Sequence, residues 1–138
     1  IVGFRQAGAE VVAIADKYKP AAKAAAEKFD IPTALGSVES LLAIDEIDAV
    51  SVIVPNKFHA PLVIQVLESG RHAFCEKPPA LNASQMQEMK DVAERYIRIR
   101  TSAELLKWVI DRFRREKQGP FLTRAGKLFS AFQNEVYS

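Results

Sequence analysis

Cysteine is almost missing from this chain. Cys75 stands alone, which rules out an internal disulfide framework. The two histidines give it too little company for a structural zinc site, so no metal is expected. No apolar run reaches the roughly 18 residues needed to span a bilayer, and no secretory leader is visible. Neither sign of charge dominates, the formal net charge being +2. Internal repeats and low-complexity stretches are also lacking. What remains is ordinary globular composition, half apolar and a quarter charged. The 138 residues are enough for one core. A cytoplasmic protein with no membrane partner is expected.

Along the first ninety-five residues, strand and helix signals alternate. Glu10 to Ala15 is a near-continuous apolar run closed by Asp16, the pattern of a strand buried on both faces. Pro20 suits a first helical turn, Ala21 to Phe29 is rich in helix formers, and Pro32 breaks that helix. Ser37 is placed to cap a short helix through Leu42. Ala49 to Val54 reads as the next buried strand. Pro61 opens a helix carrying Leu62, Val63, Val66 and Leu67, which Gly70 closes at its C′ position. His72 to Cys75 reads as a further strand. Asn82 with Gln85 then marks the capped start of a helix from Ala83 to about Arg95. This alternation predicts an α/β, Rossmann-like parallel sheet with helices on both faces.

In a parallel sheet the strands exit at one edge, where helix N-termini also point and where ligands bind. Asp16 ends one strand, Pro55-Asn56 the next, and Glu76-Lys77-Pro78 a third. Three polar stops, up to sixty residues apart in sequence, are thereby predicted to converge on one crevice. An acid in the position of Asp16 accepts hydrogen bonds from the ribose of a dinucleotide, and its charge repels a 2′-phosphate. A turn or N-cap role for Asp16 is the plainer alternative.

From Ala9 to about Glu94 the text resembles the N-terminal half of the Gfo/Idh/MocA family, the glucose–fructose oxidoreductase and inositol dehydrogenase type of NAD(P)-dependent sugar oxidoreductase. The resemblance rests on Gly8 to Asp16, Ala26 to Pro32, Ile47 to Val50, Val54-Pro55-Asn56-Lys57-Phe58-His59-Ala60-Pro61, and Gly70 to Asn82 with its Glu76-Lys77-Pro78. It implies that Asp16 holds the adenosine ribose and favours NAD over NADP, with Lys17 and Lys19 able to soften that choice. It places Pro55 and Asn56 along the pyrophosphate and nicotinamide-ribose path, with His59 at the start of the following helix. Glu76, Lys77 and Pro78 would meet the nicotinamide half. Lys77, also touching the reacting hydroxyl, is the candidate catalytic residue, and the Lys77–Pro78 peptide the candidate cis bond. Cys75 is expected to be an inert strand residue.

Two departures qualify that likeness. Nothing like a first strand and Gly-rich phosphate turn precedes Ala9, and Ile1 to Gln6 reads as the end of the helix that would follow such a turn. After Arg100 no second, substrate-binding domain is legible. Residues 1–100 are accordingly read as a partial dinucleotide-binding domain, and 101–138 as a helix and tail leading toward an absent substrate domain. Tyr96 to Arg100 is expected to be a short strand. Thr101 with Glu104 is expected to cap a helix that Gly119-Pro120 ends, and Asn134 to Ser138 to begin another strand. A sugar-like substrate and a homo-oligomer of the longer protein follow from the resemblance, with the fragment itself inactive.

A non-catalytic alternative uses the tail. Residues 95–117 carry eight lysines or arginines against three acids. A basic helix with Trp108 and Phe113 could self-associate or face an acidic partner. No nucleic-acid motif accompanies it, which argues against nucleic acid.

Overall fold

The computed structural model describes residues 1–136. Two compact units are present, Ile1–Tyr96 and Ile97–Ser138.

In the first unit, the helix α1 (Val2–Gln6) precedes β1 (Ala13–Ala15), α2 (Lys19–Phe29) and β2 (Thr33–Leu35). Then come α3 (Val38–Leu42), β3 (Ala49–Val52), a 3₁₀ turn at Asn56–Phe58, α4 (His59–Glu68) and β4 (His72–Cys75). The α/β expectation holds, with parallel pairing throughout. Ala13 lies opposite Thr33 and Ala15 opposite Leu35, while Ala49 lies opposite His72 and Val52 opposite Cys75. These are two separate pairs, β1–β2 and β3–β4.

The local chemistry explains the helices. Pro20 sits in the first turn of α2, where its missing N–H is not needed. Asp30 ends that helix in the left-handed conformation. The Ser37 hydroxyl accepts from the Ser40 amide at 3.2 Å, capping α3 as predicted. Gly70 follows α4 with φ +82°, a conformation that costs a residue with Cβ. Ala22 and Ala26 of α2 are buried, and their small side chains let the helix pack closely on β1 and β2. The main cluster lies under β3 and β4, where Val50, Val52, Ala60, Val63, Val66 and Met89 meet.

The strands are shorter and more open than their sequences suggest. β1 begins at Ala13 rather than Glu10, because β2 offers three residues to pair with. β2 was not anticipated at all. β3 stops at Val52, and its burial alternates, Val50 and Val52 inward with Ala49 and Ser51 outward. It is therefore not buried on both faces. Ile53 and Val54 lie beyond the ladder, and Ile53 is 68% exposed. β4 alternates likewise, with Phe74 outward against Phe4 in an edge-to-face contact at 5.8 Å.

The largest departure lies past Arg95. The helix α5 runs unbroken from Ala83 to Phe113. The strand expected at Tyr96–Arg100 is helical, and Thr101 and Glu104 lie in the helix interior instead of capping a new one. Tyr96 contacts β4 through its side chain rather than through a strand ladder. Its hydroxyl instead lies 2.9 Å from His72 Nδ1, fixing the helix at that point. Gly119-Pro120 does not end the helix either. A π-helical turn over Arg114–Gln118 leads into α6 (Gly119–Val136), with Pro120 in the opening turn. There the wider i→i+5 bonding accommodates a residue that cannot donate. The expected terminal strand is helical at 134–136, and Tyr137 and Ser138 lie outside the described residues.

The turn also resets helical phase. Ile99, Ala103, Leu106, Ile110 and Phe113 follow at alternating steps of four and three, as do Phe121, Ala125 and Leu128. From Phe113 to Phe121 is one residue more than a heptad. A π turn takes up one extra residue, about 100° of helical rotation, so the two apolar series run along one side. Leu106, Phe113, Phe121 and Leu128 are all exposed.

Candidate functional site

The loops that leave β3 and β4 carry most of the expected site. Val54 and Pro55 leave β3, and the Pro55 carbonyl accepts from the Phe58 amide at 2.9 Å to form the 3₁₀ turn that leads into α4. Asn56 and Lys57 lie in that turn, exposed. Leaving β4, Glu76, Lys77 and Pro78 are likewise exposed, and the Lys77–Pro78 peptide is cis, as the resemblance implied. The following helix is held by a reciprocal cap. The Gln85 amide donates to Asn82 Oδ1 at 2.9 Å, and Gln85 Oε1 accepts from the Leu81 amide at 3.0 Å. The backbone after Lys77 is fixed by that cap.

His59 joins the two loops. It is 1% exposed, the one buried polar side chain among the described residues. Its Nε2 lies 2.7 Å from the Val54 carbonyl and its Nδ1 2.8 Å from the Pro78 carbonyl. A histidine that looks, in the sequence, like a helix-start residue is thus the link between the loop after β3 and the loop after β4. The Val54 carbonyl had no signal in the sequence, because a backbone acceptor carries no side-chain identity.

Asp16 follows β1, and its amide donates to the Leu35 carbonyl at 3.1 Å. Its Oδ1 accepts from the Tyr18 amide at 2.7 Å, an Asx-type turn, which is the plainer role the sequence offered for it. No hydrogen bond or ion pair ties Asp16 to either of the other loops among the described residues.

Cys75, the last residue of β4, is half-buried. Burial pushes its thiol above the ordinary range, and the neighbouring Glu76 carboxylate adds to the effect. A thiol kept protonated is a poor nucleophile, which agrees with the inert role expected for it.

The donor set fits part of a dinucleotide. Asp16 has the carboxylate that a ribose would need, and Asn56, Glu76 and Lys77 present an amide, an acid and a cation at the ends of β3 and β4, a separate strand pair. For the pyrophosphate the fit is poor. Gly3 lies within α1 and Gly8 stands alone after it, so no Gly-rich turn is present among the described residues to hold a phosphate. The structure brings the loops after β3 and β4 together through His59, while Asp16 stands on the other strand pair.

Residues 3–102 match the family described as "Oxidoreductase family, NAD-binding Rossmann fold". The chain belongs to this family, Gfo/Idh/MocA. A D-xylose 1-dehydrogenase (NADP(+)) of Haloferax volcanii is 41% identical over 85 residues, which is 62% of this chain and 26% of that protein. A D-glucoside 3-dehydrogenase of Escherichia coli is 38% identical over 86 residues, 62% of this chain and 24% of that protein. Among solved structures, the WlbA dehydrogenase of Bordetella pertussis, in complex with NADH and UDP-GlcNAcA, superposes with a TM-score of 0.65 at 28% identity. That likeness covers 70% of this chain and 30% of the other. The chain therefore spans about a quarter of the length of the curated relatives it matches. Among the described residues no helix is long and apolar enough to cross a membrane.

Proposed function

We propose that this chain is the nicotinamide-facing part of the cofactor domain of an NAD(P)-dependent oxidoreductase. The reaction is hydride transfer between the nicotinamide and a sugar- or polyol-type hydroxyl or carbonyl. One observation carries this reading: Asn56 and Lys77 project from two strand-end loops that a single buried side chain ties together. Lys77 is the proposed catalytic residue. Its ammonium stabilises negative charge on the reacting oxygen and moves the proton that leaves the hydroxyl. The nicotinamide, when bound, supplies the hydride chemistry. Pro55, Asn56, Glu76 and Pro78 shape the surface against which it lies, and His59 acts from beneath. Asp16 binds the adenosine ribose and favours NAD, a reading supported by its acidic side chain at the end of β1. The named relatives work on sugars, which supports a sugar-like substrate, and a cytoplasmic homo-oligomer fits that setting.

As a test, NADH is titrated into the isotope-labelled 138-residue chain while amide signals are followed. Weak binding is expected, with the shifts concentrated at Asn56, Glu76 and Lys77. A micromolar or tighter dissociation constant would contradict the poor phosphate cradle. Shifts that bypass both loops would sink the site.

A second reading concerns Ile97–Ser138 and rests on a different observation. Leu105, Leu106, Val109, Phe113, Phe121 and Phe129 are all exposed beside a basic sequence. These residues support self-association, or the binding of an acidic partner, by a relative that does no catalysis. Light scattering across a concentration series separates the two, since self-association raises the mass and partner binding does not.

A further inference from the structure

The face that the π turn keeps in line has charged borders as well as an apolar centre. At about 100° per residue, the large apolar residues of Ile99–Phe113 fall within an arc about 160° wide, Trp108 alone lying outside it. Leu106, Val109 and Phe113 in that arc are each more than half exposed. Lys107 borders the arc on one side and Arg112 on the other. Arg112 is held there by Glu116 at 2.8 Å and by the Trp108 ring at 5.4 Å. The acids Glu104 and Asp111 fall near the middle of the opposite, polar face. In α6, Phe121, Leu122, Leu128 and Phe129 form a second arc about 120° wide, with Arg124 at its border. These four are 67–73% exposed.

We propose that Ile99–Phe129 lies flat on an anionic lipid surface, its apolar side sunk between the acyl chains. Cations at the border and acids on the far side are the charge order such a helix requires. The long stems of Lys107, Arg112 and Arg124 cover the edges of the apolar face while their heads reach lipid phosphates and carboxylates. The anionic surface supplies the charge that this segment lacks, since Ile97–Ser138 carries nine lysines or arginines against four acids. A helix of this kind lies along a bilayer without crossing it.

Other occupants fit less well. A second copy laid on the same face would bring the same excess of positive charge, and the two would repel. A coiled-coil seam is also narrower than this arc. A groove in an acidic protein takes a few anchors over a few turns. Here the apolar side is held in one line from Ile99 to Phe129, about 45 Å, straight through the π turn. Such straightness serves a flat surface. The proposal does not rest on the cofactor reading, and it replaces the acidic protein of the second reading with a lipid.

The test floats the 138-residue chain with vesicles of phosphatidylcholine, either alone or with about a third phosphatidylserine. Binding to the anionic vesicles is expected to be at least about tenfold tighter, and to weaken as salt is raised. Phe121→Ser with Leu128→Ser is expected to abolish it. A second variant, Lys107→Glu with Arg124→Glu, leaves every apolar residue in place and is expected to bring binding down to the level of the neutral vesicles. Failure to float with the anionic vesicles overturns the proposal. So does binding that survives both variants, which would place the contact elsewhere on the chain. A rise in mass without vesicles that Phe121→Ser with Leu128→Ser removes would show that a second copy covers the face, and would overturn it too. Vesicle binding and NADH binding are read separately, so this inference and the proposed function fail separately.

Discussion

Lys77 combines exposure, a place as the first residue of a cis peptide, and a following carbonyl, that of Pro78, held by His59. In the catalytically complete protein, Lys77→Ala is expected to lower turnover about 10²-fold, the usual scale of general acid–base assistance. The KM for the dinucleotide should move far less. Steady-state kinetics on both substrates make the comparison, and unchanged turnover would reduce Lys77 to a loop residue. Cys75 gives a test on the chain itself. Its thiol is raised by burial and then by Glu76, so it stays protonated at neutral pH. Alkylation by iodoacetamide should be slower than for a free thiol, and its pH midpoint should lie above the ordinary one. Removing the second cause with Glu76→Gln should speed the reaction and lower that midpoint. A rate equal to that of the unfolded chain would show that the strand end does not protect the sulfur.

At the scale of elements, the caps are the most exposed to test. Replacing Ser37 by Ala removes the acceptor for the Ser40 amide and is expected to cost about 1 kcal/mol. Gly70→Ala should cost a similar amount, about 1 kcal/mol, purely through its left-handed backbone. The space around Gly70 is open, so no clash contributes. Urea unfolding measures both, and a neutral Gly70→Ala would mean that the turn relaxes. These same elements show why much of the fold was legible. Pro20, Ser37, Gly70 and Asn82 with Gln85 are local signals, each satisfied by partners within four residues. Other features depended on distant partners. β2 is three residues long and has no period of its own, so it exists through its pairing with β1. Tyr96–Arg100 alternates like a strand but is carried into helix by the continuous α5. At the site, the loops and the cis bond followed from the resemblance. The double contact of His59 did not, because its acceptors are backbone atoms.

Taken whole, the molecule divides at Tyr96, although α5 crosses that point. The buried residues of α5, Met89 and Val92, both belong to the first unit. A chain ending at Tyr96 is therefore expected to keep its cooperative unfolding, with a midpoint close to that of the longer chain. Circular dichroism melts of the two would decide it, and loss of the transition would make residues 97–138 part of the core. Beyond that boundary, the π turn has a consequence for insertions and deletions. A helix that bears an interaction stripe normally forbids a change of one residue, since everything downstream swings round. Here the surplus residue is absorbed locally, and the series after the turn remains in line with the series before it. Deleting one residue from Arg114–Gln118 should convert the turn to ordinary α-helix and leave the two series aligned. The segment thus works as an expansion joint, tolerant of length where the rest of the helix is not.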